Sequence, residues 1–394
     1  MCGAGVISSV VGMTQTERPT PSRVRDVDAV RGFALAGILV ANIGFLADPG
    51  HAIVGGIPAP EDPVAYTIHA LVLTKFYVIF SFLFGYSFTL QLRAAERAGA
   101  SVRARTLRRC LGLFVIGVVH GLLLWIGDIL TLYAFLGLIL LALRDVRPRT
   151  AVRAGVWIIG VLTVCYLLLA ALTTLDPTAG AAPVADPAES ARVLALVTGG
   201  PLDFLTLQVE LYPVLALSIW AFQGPTALAL FLVGLAAGKA KLLEEPERWA
   251  HLLPRIQWIG FGVGVPSGVF YAWKSAGEDA TALVALALNN VTSLLLAAAY
   301  VATLLRLLKR YPALAGALTP AGRMAASNYI GQSVLVCLVF TGYGLALAGS
   351  VPPLGVMGIA VAVYAVLLGL SAWWLRSHRY GPVEYGLRRL TNWS

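Results

Sequence analysis

Long apolar runs, punctuated at short intervals by clusters of arginine, organise this chain from about residue 25 to residue 376. Each run holds roughly 17 to 25 residues, enough for a helix to cross about 30 Å of hydrocarbon. They predict spanning helices near 30–47, 64–91, 107–126, 128–143, 151–173, 225–242, 256–273, 281–305, 324–347 and 354–375. Alternating strand patterns are absent, which argues against a membrane β-barrel. The expected fold class is an all-α polytopic membrane protein with about ten transmembrane helices.

Charge placement orients these helices. If the N-terminus starts inside and the chain changes side at each span, every basic residue except Lys75, Arg192 and Lys274 falls on the inner side, out of 29 lysines and arginines. The positive-inside rule then places both termini in the cytoplasm. One segment tests this map: "DFLTLQVELYPVLALSIWAF", 203–222, is apolar but contains Gln208, Glu210 and Pro213. Counting it as a span would push every later basic cluster outside. It is read as a re-entrant or interfacial segment on the outer face, with eleven spans as the alternative. The organisation is a cytoplasmic tail over 1–24, one transmembrane domain over 25–375 and a second cytoplasmic tail over 376–394. The opening "MCGAGVISSVVGM" lacks the features of a signal peptide, and Met13 is a second candidate start.

Composition agrees: 58% of residues are hydrophobic and only 12% charged, against about 25% charged in soluble domains. The net charge of +9 therefore reads as topology, and no nucleic-acid partner is expected. The four cysteines form no CxxC or Cys/His pattern, so neither a metal site nor a disulfide framework is expected. No phosphate-binding glycine motif precedes a helix, which leaves nucleotide hydrolysis without support.

Ionisable groups at membrane depth are costly and usually face a cavity or a partner. Here they include Lys75, His69, His120 and Glu210, accompanied by Asn42, Asn289, Asn290, Asn328 and Gln332. His120 stands eleven positions beyond Arg109, about 16 Å along an α-helix. It is either a structural histidine or a general base, since neutral imidazole can take a hydroxyl proton near pH 7. Asp128, in "HGLLLWIGDIL", heads the next helix and suits an N-cap. It could also orient His120, but only if the turn between them brings them together. Lys75 either snorkels to the interface or needs a carboxylate, with Glu210 and Asp128 as candidates. The arginines of "RARTLRRC" suit anionic lipid headgroups, or the phosphates of a cytoplasmic ligand such as coenzyme A.

The stretches "RDVDAVRGFALAGILVANIGF", "TKFYVIFSFLFGYSF", "RRCLGLFVIGVVHGLLLWIGDILTLYA", "GRMAASNYIGQS" and "YGPVEYGLRRLT" resemble the YeiB family of bacterial membrane proteins. Its wider kin look like the transmembrane acyltransferases, among them the lysosomal heparan glucosaminide acetyltransferase and bacterial sugar O-acetylases. The resemblance implies transfer of an acyl group, usually acetyl from acetyl-CoA, to a hydroxyl or amine across a bacterial plasma membrane. The sugar O-acetylases carry arginine, ten residues, then histidine in the first helix; here Arg31 is followed at that spacing by Asn42. His120 is then the replacement base or acyl carrier, with Asp128 as its neighbour. Asn42 or Lys75 would stabilise the oxyanion, and Arg31, Arg105, Arg108 and Arg109 would hold the acyl-CoA phosphates. The expected partners are membrane lipids, acyl-CoA, an acceptor and, as an assembly, a homodimer. The rival reading is a proton-coupled transporter or exporter, which the buried Lys75, Glu210 and His120 would also serve.

Overall fold

A computed structural model describes residues 22–50, 62–175, 186–275 and 280–392. Most of the expected N-terminal tail, including Met13, lies outside the described residues. The elements described are helices: α1 (Ser22–Ala47), α2 (Pro63–Leu71), α3 (Lys75–Arg97), α4 (Val102–Leu123), α5 (Leu130–Ala142), α6 (Pro148–Leu175) and α7 (Pro187–Thr198). There follow α8 (Pro201–Lys239), α9 (Leu253–Lys274), α10 (Ala280–Arg310), α11 (Pro312–Arg323), α12 (Ala325–Phe340), α13 (Pro353–Trp374) and α14 (Pro382–Thr391). Among the described residues, seven stretches are long and apolar enough to cross a membrane: α1, α2 with α3, α4, α6, α8, α10 and α13.

All ten expected positions carry a helix, but α9 is not among these seven stretches and two others are short. Helices α5 and α12 have 13 and 16 residues, which at the α-helical rise gives about 20 and 24 Å. Neither reaches the roughly 30 Å of a hydrocarbon core. The expected span 64–91 is bent: α2 ends at Leu71, and Thr74 adopts a left-handed conformation with φ 71° before α3 begins. A threonine rarely holds that conformation unless its surroundings impose it. The Asn289 side chain on α10 donates to Thr74 Oγ1 at 3.1 Å and pins the bend.

The segment 203–222 is not a separate re-entrant piece: it is the first half of one continuous 39-residue helix, α8. Pro213 and Pro225 lie inside that helix without ending it. A proline removes one hydrogen bond, but neighbouring helices can hold a membrane helix together around the gap. Here Phe204, Leu207, Gln208 and Tyr212 are buried along the first half, so packing keeps it straight enough to continue.

Small residues set the closest approaches. A Cβ on Gly85 of α3 would lie 2.1 Å from the Phe231 carbonyl oxygen of α8, and one on Gly234 would lie 2.2 Å from that of Phe82. Helices α3 and α8 therefore meet backbone to backbone, the usual device where lipid supplies no hydrophobic drive between helices. Gly32 of α1 and Gly322 of α11 do the same, facing the backbone oxygens of Leu318 and Asp28. Outward-facing Trp157, Trp258 and Leu354 are largely exposed, as lipid-facing side chains are.

The basic clusters converge on one end. Lys239 at the end of α8 donates to Val146 O in the α5–α6 turn; Arg93 of α3 pairs with Glu244; Arg323 donates to Arg379 O. Helix α14 docks on this end, with Leu387 and Leu390 against Gly112 of α4. At the opposite end Arg192 of α7 binds both carboxylate oxygens of Glu210 on α8, and also Glu189.

Candidate functional site

Helix α4 stops just past His120, whose carbonyl oxygen accepts from both Leu124 N and Trp125 N at 2.9 Å. The chain then doubles back through residues 124–129 instead of continuing outward. That reversal returns Asp128 to the level of Gly117, where a Cβ would stand only 2.7 Å from Asp128 Oδ2. Asp128 Oδ2 accepts from Thr131 N at 2.9 Å, satisfying a free amide in the first turn of α5. Its other oxygen lies 2.9 Å from His120 Nδ1. The turn thus achieves what eight positions along one helix could not.

The second face of the imidazole meets α12. His120 Nε2 is 2.8 Å from Ser333 Oγ, and the Tyr329 ring, one turn earlier, packs on the imidazole with centroids 5.0 Å apart. A carboxylate oxygen accepts, so Nδ1 is the donor to Asp128, and in the neutral imidazole Nε2 is then the acceptor for the serine hydroxyl. Asp128 is fully buried and His120 nearly so. A buried ionic group is tolerated only when its hydrogen bonds are filled, and here the histidine, the backbone and the serine fill them.

Helix α12 is held in register from three sides. Gln332 Nε2 donates to Leu35 O of α1 at 2.9 Å. Asn328 donates to Ala321 O at 3.0 Å and to Ser371 Oγ of α13 at 2.8 Å. Glu384 of α14 accepts from Ala326 N at 2.7 Å and from Ser327 N at 3.2 Å, and its second oxygen takes the Ser327 hydroxyl. A carboxylate there suits the positive end of the α12 dipole. The stretches "GRMAASNYIGQS" and "YGPVEYGLRRLT" are therefore one structural unit.

Above the imidazole, the first half of α8 forms a roof. Tyr212 lies against Gly121, and Gln208 Nε2 donates to Leu124 O at 3.2 Å. Beside it opens a small cleft between α1, the 124–129 turn and α12. Its walls are apolar (Leu39, Ile43, Val336), with Asn42, Trp125 and Ser333 as polar members. Asn42 is half-buried, and its amide has no hydrogen-bond partner among the described residues.

Of the expected site residues, the structure brings together His120 and Asp128, and Asn42 lines the cleft that Ser333 borders. Lys75 goes elsewhere. It is fully buried, donates to Asn289 Oδ1 at 3.0 Å and lies over the Tyr271 ring. Neither proposed carboxylate reaches it: Asp128 is bound to His120, and Glu210 to Arg192. Arg31 pairs with Asp28 and donates to Ser87 Oγ. Arg109 lies in the field of Arg31, Arg388 and Glu384, and its buried Nε has no partner among the described residues. Arg105 and Arg108 are half-buried on the preceding turn of α4. Among the described residues no group of three or more His, Cys, Asp or Glu is placed to hold a metal ion.

Sequence reasoning missed Ser333, an ordinary residue for an apolar helix. The signal that could have found it is spacing. Tyr329 and Ser333 are four apart, as are Asn328 and Gln332, so the motif puts two polar stripes on adjacent faces of one helix. Arg388 and Glu384 were also missed, being assigned to a tail.

Residues 237–394 match the family model described as "Protein of unknown function (DUF418)". The chain is 29% identical over 397 aligned residues to the uncharacterized protein YxaH of Bacillus subtilis (strain 168), covering 94% of this chain and 95% of that one. It is 26% identical over 381 residues to the uncharacterized protein YeiB of Escherichia coli (strain K12), covering 93% and 95%. No solved structure matches.

Proposed function

We propose that this chain, YeiB-like over nearly its whole length, is a membrane acyltransferase that moves an acyl group from a coenzyme A thioester to a hydroxyl or amine. Acetyl is the first choice of acyl group, and a sugar-like, lipid-linked or small-molecule acceptor fits the reading. The observation that carries it is the buried Asp128–His120–Ser333 chain at the edge of an apolar cleft. A carboxylate that fixes the tautomer of a buried imidazole leaves Nε2 as a base for a hydroxyl. Asn42, whose amide is uncommitted among the described residues, lines the same cleft and would stabilise an oxyanion. Lys75, which lies against Asn289 and Tyr271, has no part in this chemistry.

Two arginines support the donor assignment. Arg31 precedes Asn42 by eleven positions on α1, and Arg109 precedes His120 by eleven on α4, each about 16 Å by the α-helical rise. An extended pantetheine arm bridges such a gap, with its phosphates at the arginine-rich end and its thioester at the imidazole. On this reading the arginine-rich end faces the cytoplasm of a bacterial cell, as the positive-inside rule demands.

The test is coenzyme A release from acetyl-CoA by the protein in nanodiscs, with His120→Ala alongside and donor binding followed by calorimetry. Slow release that disappears in the variant while binding survives supports acyl transfer. No release and no binding would sink the donor assignment and bring forward the transport reading.

A further inference from the structure

Serine and threonine hydroxyls inside these helices commonly turn back on their own backbone. Thr163, Thr206, Ser218, Thr303 and Thr341 each donate to the carbonyl four residues earlier, at 2.8 to 3.0 Å. That local bond is the default for a hydroxyl in a helix with no water at hand. Ser333 departs from it. Its Oγ lies 2.8 Å from His120 Nε2, and it also borders the cleft that holds Asn42.

Building on the acyl-transfer reading, we propose that Ser333 is the nucleophile of this site and carries the acyl group as a serine ester between donor and acceptor. The requirements for an activated serine are a base within hydrogen-bond reach and a third group orienting that base. Both distances are met, at 2.8 and 2.9 Å. The orienting carboxylate is itself fixed by Thr131 N, and the Tyr329 ring stops the imidazole from swinging away. Helix α12, which carries the serine, is tied to α1, α11, α13 and α14. A helix locked this firmly serves to place one atom.

The reaction balances with no further reagent. Ser333 Oγ attacks the thioester carbonyl carbon as its proton passes to His120 Nε2. The carbon–sulfur bond breaks, and the proton on Nε2 goes to the departing thiolate. An acceptor hydroxyl or amine then gives a proton to Nε2 while its oxygen or nitrogen attacks the serine ester. The acyl carbon–Oγ bond breaks, and Oγ takes the proton back. The stable intermediate lets the two substrates use the cleft in turn, so donor and acceptor need never occupy it together.

The test has two probes on the full chain in nanodiscs: a fluorophosphonate, which phosphonylates activated serines, and acetyl-CoA followed by rapid acid quench. Peptide mass spectrometry then reads modification of Ser333. We expect both labels on Ser333, their loss in Ser333→Ala, and labelling at least about a hundredfold slower in His120→Ala, the usual worth of a general base. Ser333→Cys guards against a folding artefact, since at matched thermal unfolding it moves the acetyl group onto a thioester. Continued coenzyme A release in Ser333→Ala, with no label in the wild type, would overturn the serine and leave acyl transfer by His120 intact. Fluorophosphonate labelling without acetyl-CoA turnover would do the reverse: the nucleophile would stand and the acyl-CoA reading would fail.

Discussion

A single methyl group at Gly117 tests the centre of this site. Its Cβ would lie 2.7 Å from Asp128 Oδ2, 2.7 Å from Thr131 N and 2.9 Å from Thr131 Cγ2. Unbonded heavy atoms settle at about 3.5 Å, so the first turn of α5 must retreat by roughly 0.6–0.8 Å. The His120–Asp128 contact, now 2.9 Å, then opens to the edge of hydrogen-bond range, about 3.5 Å. Overpacking of this size costs about 1–3 kcal/mol, and weakening a buried charged hydrogen bond about 1–3 more. Alanine's helix preference returns about 1 kcal/mol, leaving a net loss of about 1–5 kcal/mol. Gly160→Ala is the control, because nothing lies within 4 Å of a Cβ there. Denaturant unfolding in micelles should rank Gly117→Ala below wild type and Gly160→Ala level with or above it. Fluorophosphonate labelling of Ser333 should fall at least tenfold in Gly117→Ala alone. If Gly117→Ala proves as stable and as reactive as wild type, the geometry argued for the Asp128 turn is wrong.

Asp128→Asn keeps the size of the side chain but offers His120 a donor as readily as an acceptor; acetyl-CoA turnover should fall by about 10²–10⁴, read in the coenzyme A release assay. Glu384→Ala removes the cap from Ala326 N and Ser327 N and should lower unfolding stability by about 1–2 kcal/mol; an unchanged midpoint in denaturant would count against it. Arg109→Ala should raise the KM for acetyl-CoA about 10–100-fold, the worth of one hydrogen bond to a charged group, while kcat moves less; equal loss in both would place Arg109 in the chemistry instead. Lys75→Met should leave turnover within about threefold and stability unchanged or higher, since apolar replacement of a buried charge is often neutral or favourable. A collapse of turnover with normal folding would return Lys75 to the site.

The helices were legible because lipid imposes a length and an apolar composition that few residues can hide. Proline was misleading. Pro213, with Gln208 and Glu210, reads as a break in water, but the Gln208 amide donates to Leu124 O, Glu210 pairs with Arg192, and α8 continues through. The bend at Thr74 left no trace, since neither glycine nor proline marks it and its anchor, Asn289, is distant in sequence. His120 and Asp128 stood out as polar groups at depth. Their contact did not, because it depends on where α4 ends, and a boundary shifted by one turn would separate them. Ser333 was hidden by ordinariness: only its neighbours on the folded helix distinguish it from any other hydroxyl.

The cap that Glu384 places on α12 also imposes an order of assembly. A nascent chain delivers its residues from the N-terminus onward, so the imidazole and its carboxylate are made long before the serine. The serine's helix then waits for α14 before its first turn is closed. A chain halted between residues 333 and 384 holds Asp128, His120 and Ser333 but lacks the cap on the first turn of the serine's helix. The last tie on that helix therefore forms only after the helices around the cleft exist to enclose it. If Ser333 is the nucleophile proposed above, a bulky fusion that lifts α14 from its seat would loosen the serine's helix in a finished protein.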